Sequence, residues 1–340
     1  WNISFIGVVT NAHNNTLSIA KYNDYTDGGM LTESAINDLT SNDNLQFHGI
    51  TSIDLFAISY KNFAFSVIPE AQAHLKQNDD FLDLLFKGSK IGKTYNVDSQ
   101  GALWGYAAFN LTMAKEFKTI PYINDIFDSF YAGINVKYLH GMHTAIDDSL
   151  GELEYIQDLG FMGIKRGKGN LEFTENGVRG DGILEVITSG GGAGSGFDLG
   201  FKAAYDKFNF DFSIININSF MDWGEQTQKH TFYGEGQTES MDLDDLESAL
   251  EDTTIHEYVT NYRQDLPVTY NFGASSRYFK NHYFSALISY TTEERETDSD
   301  FSLSLGHEYL RFEHFPLRYG IKFSSFEKVN FACGFGLNYT

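Results

Sequence analysis

The sequence predicts an all-β chain: a transmembrane antiparallel β-barrel of about fourteen strands, with short helices in a plug or in loops. Three observations point there. Hydrophobicity alternates with a period of two along most of the chain. The residues opposite the apolar ones are small and polar, mostly Gly, Ser, Asn and Ala. Very short turn signals alternate with long polar connections.

The alternation is plainest in five places. Ala132, Ile134, Val136 and Tyr138 alternate with Gly133, Asn135 and Lys137. Phe208, Phe210, Phe212 and Ile214 point one way; Asn209, Asp211 and Ser213 point the other. Val268, Tyr270, Phe272 and Ala274 repeat the pattern, as do Leu317, Tyr319, Ile321 and Phe323, then Phe331, Cys333, Phe335, Leu337 and Tyr339. An outward face of a water-facing sheet would carry Thr, Lys and Glu. Here the aromatic face suits lipid, and the small polar face suits a wet interior. Turns are expected at 60–63, 205–208 and 279–282.

Helices are expected at three places. Asn78–Lys87 has a capping Asn78, acidic Asp79 and Asp80 in its first turn, a Phe81/Leu82/Leu84/Leu85 face and Gly88 to stop it. It is expected to pack inside or across the barrel mouth. Leu31–Ser41 and Leu243–Leu250 are weaker candidates. The segment 240–257, with Asp242, Asp244, Asp245 and Glu247 and no Lys or Arg, reads as an extramembrane loop, because unpaired carboxylates are costly to bury. Without internal repeat or linker, residues 1–340 read as one domain, with 1–45 and 77–90 partly plug or loop.

Composition excludes several classes. The net charge is −22, from 46 acids against 24 bases, which argues against nucleic-acid binding. One cysteine, Cys333, allows no internal disulfide and no multi-thiolate zinc site. No run approaches the ~20 apolar residues of a membrane helix. The chain starts at Trp1 with no signal-peptide pattern, and reads as a mature or trimmed chain.

No catalytic, cofactor-binding or metal-binding residue emerges. Gly190–Gly196 lacks the Lys-Ser/Thr of a phosphate loop and reads as a strand entry with close backbone approach. His140 and His143 are expected on opposite faces of a strand. His307-Glu308 lacks the second His of a zinc-protease motif. The 242–247 carboxylates do not follow the EF-hand pattern, so a solvated loop is preferred to a calcium site. Cys333 reads as a buried, inert thiol on the apolar face of a strand.

Several ordered pieces carry a resemblance: Asn14–Asp24, Tyr60–Val67, Gly133–Gly141, Gly194–Gly200, Trp223 and Pro316–Gly320. Together the chain resembles uncharacterised outer-membrane barrels, a domain family of unknown function related to long-chain fatty-acid transporters. TraF-like barrels of conjugation and PorV-like barrels of type IX secretion are more distant relatives. The resemblance implies an outer-membrane barrel in a diderm bacterium, with an N-terminal segment partly filling the lumen and no catalytic residues. The family usually has more residues before the Asn14 region and a further terminal strand, so the resemblance implies that N- and C-terminal segments are missing from this chain. The expected partners are membrane lipid and either a small hydrophobic molecule in the lumen or a surface or secreted protein on the loops. Transport of the small molecule is the first expectation; anchoring or docking a protein is the alternative.

Overall fold

The computed structural model describes residues 2–14, 26–27, 30–31, 37, 44–87, 90, 92–118, 120, 122–123, 125–157, 163–177, 191–224, 227–238, 254–258, 262–294, 299–311, 316–325 and 328–335. These are nearly all β. The strands are β1 (Asn2–Asn14), β2 (Thr26–Asp27), β3 (Met30–Leu31), β4 (Asn44–Tyr60), β5 (Phe63–Asn78), β6 (Thr94–Glu116), β7 (Ser129–Gln157), β8 (Gly163–Gly177) and β9 (Gly192–Tyr205). Then come β10 (Phe208–Trp223), β11 (Gln228–Thr238), β12 (Thr254–Tyr258), β13 (Tyr262–Asp265), β14 (Thr269–Phe279), β15 (His282–Thr291), β16 (Asp300–Tyr309), β17 (Leu317–Ser324) and β18 (Lys328–Phe335).

One sheet holds sixteen of them. Its continuous path has twelve strands, in the order β1-β4-β5-β6-β7-β9-β10-β14-β15-β16-β17-β18, each antiparallel to the next. The expectation of about fourteen strands therefore meets twelve on the path and four beside it. Three of the four form a branch, in which β8 pairs with the far half of β7, β11 with β8 and β12 with β11, while β13 pairs separately with the end of β10. Among the described residues the end strands β1 and β18 are not paired with each other.

All three expected hairpin turns form, at 61–62, 206–207 and 280–281, and all lie at the same end of the sheet. Lys61 and Asp206 take φ of 54° and 50°, the left-handed backbone that two-residue hairpin turns demand. The register of β10 matches the alternation read from sequence. Phe208, Phe210 and Phe212 stand opposite Ser276, Ala274 and Phe272, while Asn209 and Asp211 share the other face with Ser275 and Gly273.

The helix α1 (Asp79–Lys87) follows β5, and Asn78 caps it by accepting a hydrogen bond from the Phe81 amide at 3.0 Å. Leu82 is buried against the β5 and β6 ends, with Phe81 and Leu84 half-buried; the Leu85 side chain lies outside the described residues. An ionic clasp holds the turn after it: Lys93 reaches Asp80 at 3.0 Å and Asp83 at 2.9 Å, and Lys87 reaches Asp83 at 2.8 Å. Burial pushes the Asp83 carboxyl up, but hydrogen bonds from Lys87 and Lys93 outweigh it and hold the pKa at about 2. Burial lowers Lys93, and the hydrogen bonds to Asp83 and Asp80 more than reverse that.

Several expectations change. The Leu31–Ser41 helix lies, apart from Leu31 and Asn37, outside the described residues, and Leu31 belongs to β3. The Leu243–Leu250 helix and most of the acidic segment also lie outside them. The last residues of that segment, Thr254 to Glu257, are not loop but part of β12, paired in register with β11. Cys333 is on a strand, opposite Tyr319, but it is exposed rather than buried. Its strand is a sheet edge, and the apolar face is the uncovered one.

Candidate functional site

The polar face is not uniformly polar, and its departures form the candidate site. Read across the paired strands, it is built in rows. His48, His74, Ala102 and Ile146 make one row; Ile50, Gln72, Trp104 and Thr144 make the next. Below them stand Glu70, Tyr106, Gly141, Gly192, Trp223 and Tyr262, and then Ala108, Leu139, Gly194, Met221 and Gln264. The following rows hold Asn110 with Lys137, then Thr112, Asn135 and Asp198. Each row lies two residues along the strands from the last, because side chains alternate between faces.

The middle rows pack into a closed apolar cluster. Trp104, Tyr106, Leu139, Met221, Trp223 and Leu266 are all buried and belong to one packed cluster. Glycines make this possible. Trp223 and Met221 lean from β10 across β9 to reach β7. A Cβ on Gly192 would lie 2.7 Å from the Trp223 ring, and one on Gly141 would lie 2.6 Å from Met221 Sδ. Within the glycine run, Gly192, Gly194 and Gly196 therefore do serve close approach, of side chains as well as backbone. Trp223 Nε1 donates to Gln264 Oε1 at 3.1 Å, which satisfies the buried indole.

Beside the cluster lies Glu70. Its Oε1 accepts hydrogen bonds from Tyr106 Oη and, at 2.6 Å, from Gln72 Nε2. Among the described residues no Lys or Arg pairs with it.

Beyond the cluster the face turns into a polar network. Lys137 Nζ is 2.6 Å from Asp198 Oδ1 and donates to Asn216 Oδ1 at 2.6 Å. Asn135 Nδ2 donates to Asp198 Oδ2 at 2.9 Å and to Asn110 Oδ1 at 3.0 Å; Thr112 Oγ1 donates to Asn135 Oδ1 at 3.0 Å. A bulge in β10 supplies one arm. Asn216 takes φ of 62°, which removes its amide from the ladder and aims it at Asp198 Oδ1, 2.8 Å away. Asn tolerates that backbone better than other non-glycine residues.

Across β15–β18 the same face is shallow. Ser285, Gly306, Gly320 and Ala332 stand side by side across four strands and floor a groove of about 450 Å³. Arg318 closes one side, donating from Nε to Glu308 Oε1 at 2.7 Å.

On the opposite, apolar face, exposed large side chains run from strand to strand: Phe65, Leu111, Val136, Phe212, Phe272 and Phe323 are examples. A histidine pair lies within it. His282 Nδ1 and His307 Nε2 are 2.9 Å apart, within a ring of Phe279, Phe284, Tyr309 and Tyr319. Sequence reasoning singled out His307 only for a failed motif; the β15–β16 register gives it its partner.

The expectation for His140 and His143 is overturned. A bulge at Met142 sets His140 opposite Ala107 and His143 opposite Gly105, so the two share one face. Among the described residues no group of three or more His, Cys, Asp or Glu is placed to hold a metal.

The class this defines is an antiparallel sheet protein with one exposed aromatic face and one face that carries a buried polar and apolar filling. The chain belongs to a family of unknown function, DUF5723, whose model matches residues 1–340. No curated protein matches it.

Proposed function

We propose that the chain is an outer-membrane β-barrel of a diderm bacterium that carries small hydrophobic molecules. The observation that supports this best is the inversion of the sheet. Phe, Tyr, Leu and Val side chains are exposed along one face, while Lys137, Asn110, Gln264 and Thr144 are buried on the other. Exposing one such apolar side chain to water costs about 1.5–3 kcal/mol relative to burying it, and the patch spans many strands. Lipid against the aromatic face removes that cost.

Closure is consistent with the topology. Twelve strands in an antiparallel path leave β1 and β18 running in opposite directions, so pairing them would complete the ladder and remove both edges. The polar face then lines the interior. The cargo reading rests on the Trp104/Tyr106/Met221/Trp223 cluster, an apolar station on an otherwise polar wall. The groove across β15–β18 leaves the facing wall open.

Liposomes containing the purified protein test this. A fluorescent long-chain probe should cross or load them faster than protein-free liposomes. Equal rates, with the protein shown to be folded and inserted, would contradict the cargo reading.

A docking role has one observation in its favour. β7 is 29 residues long, roughly 96 Å at ~3.3 Å per residue, against an apolar band of ~25 Å. Its far half, with β8, β11 and β12, would project beyond the membrane as a surface for a secreted or surface protein. Pull-down with that projection deleted separates the readings, since transport would persist and docking would not.

A further inference from the structure

We infer that the interior site takes an amphiphile with an uncharged oxygen head group, and that Trp104 and Thr144 are the groups that hold it. The inference rests on the hydrophobic-cargo reading and adds the head-group chemistry. Trp104 and Thr144 are direct cross-strand neighbours on the filled face. They are 1% and 0% exposed. Yet neither Trp104 Nε1 nor Thr144 Oγ1 has a hydrogen-bond partner among the described residues. Trp223, the other buried indole of the cluster, is satisfied by Gln264.

An indole N–H only donates, and a hydroxyl donates or accepts. Side by side, they match one oxygen that accepts from both, such as an alcohol, ester or ketone oxygen. Buried polar atoms are ordinarily paired, so two adjacent orphans mark a place where a partner belongs. The apolar cluster beside them takes the hydrocarbon part.

The surrounding charges select against an anion. Glu70 stands in the adjoining row, next to Gln72, the strand neighbour of Trp104; among the described residues it accepts from Tyr106 and Gln72. Lys137 is three rows away and held by Asp198. On the other side the adjoining row carries His48 and His74, with ring centroids 6.3 Å apart. The nearest lysine on that side, Lys76, stands one row further on. A carboxylate there would meet Glu70 in the adjoining row, while the nearest lysines on that face, Lys76 and Lys137, stand two and three rows away.

The test compares hexadecanol with hexadecanoate at about pH 8, by native mass spectrometry of the full chain in detergent. Hexadecanol should bind more tightly. Trp104→Phe and Thr144→Val should each weaken hexadecanol about tenfold, the cost of one lost hydrogen bond. Glu70→Gln should strengthen hexadecanoate, a gain that misfolding cannot mimic. Thr144→Val is nearly isosteric and stands in if Trp104→Phe fails to fold. Hexadecanoate binding as tightly as hexadecanol overturns the inference. So does unchanged hexadecanol binding in both variants, which would leave the two groups holding only a water. If neither amphiphile binds while the liposomes still load their probe, this inference alone falls. If the liposomes also fail, the cargo reading falls with it.

Discussion

The indole of Trp223 lies directly over Gly192, its cross-strand neighbour, so closely that a Cβ at Gly192 would sit 2.7 Å from the ring. That single relationship lets β10 reach across β9 to β7 and close the apolar cluster.

Gly192→Ala should therefore push Trp223 out of place. Overpacking of this kind costs about 1–3 kcal/mol. Thermal unfolding in detergent should show the loss, and tryptophan emission should shift to the red as the ring gains water. Gly200, with nothing within 4 Å of a Cβ, is the control, and Gly200→Ala should change little.

Lys137→Met should be costly, because it leaves Asp198 among amides with its cation gone. Removing one partner of a buried pair costs about 3–5 kcal/mol, and the partial exposure of Asp198 argues for the lower end. Asp198→Asn combined with Lys137→Met should recover part of that. A double-mutant cycle on unfolding midpoints measures the coupling.

The α1 clasp should loosen in acid. Asp83 titrates at about 2 in the folded chain against an ordinary 3.8. A lowered carboxyl pKa stabilises the fold above the ordinary value, and the contribution disappears as pH falls through about 2. Amide protection across 79–87, corrected for the intrinsic pH dependence of exchange, should therefore fall below about pH 4, and Asp83→Asn should flatten that dependence. An acid profile unchanged by Asp83→Asn would refute the clasp.

Asn78→Ala removes the cap on Phe81 and should cost about 1 kcal/mol. The same exchange experiment at neutral pH should show the loss confined to α1.

What was legible in the sequence was local. The β10 alternation, the three hairpin turns and the Asn78 cap each depend on residues within one strand or turn, and each formed as read. What was not legible depended on register. The orphan pair at Trp104 and Thr144, 40 residues apart, exists only because β6 and β7 pair in one frame. One bulge at Met142 was enough to reverse the faces of His140 and His143. A signal for the cluster was present: continuing the Thr112–Asn110–Ala108 face backwards reaches Tyr106 and Trp104, large aromatics on a supposedly polar side. The paired Asn216 and Asn218, both with positive φ, were a second signal, marking the bulged stretch of β10. Cys333 was misjudged because alternation tells which face a residue shares, not whether anything covers that face.

The central claim is that the aromatic face meets lipid and the filled face does not. Spin labels placed one at a time from Phe208 to Ser213, in a Cys333→Ser background reconstituted into bilayers, test it most directly. Accessibility to oxygen, which partitions into lipid, should peak at positions 208, 210 and 212, and accessibility to a water-soluble nickel chelate should not. The labels at 209, 211 and 213 should be poor in oxygen. A flat profile, or oxygen maxima at 209, 211 and 213, would contradict the account.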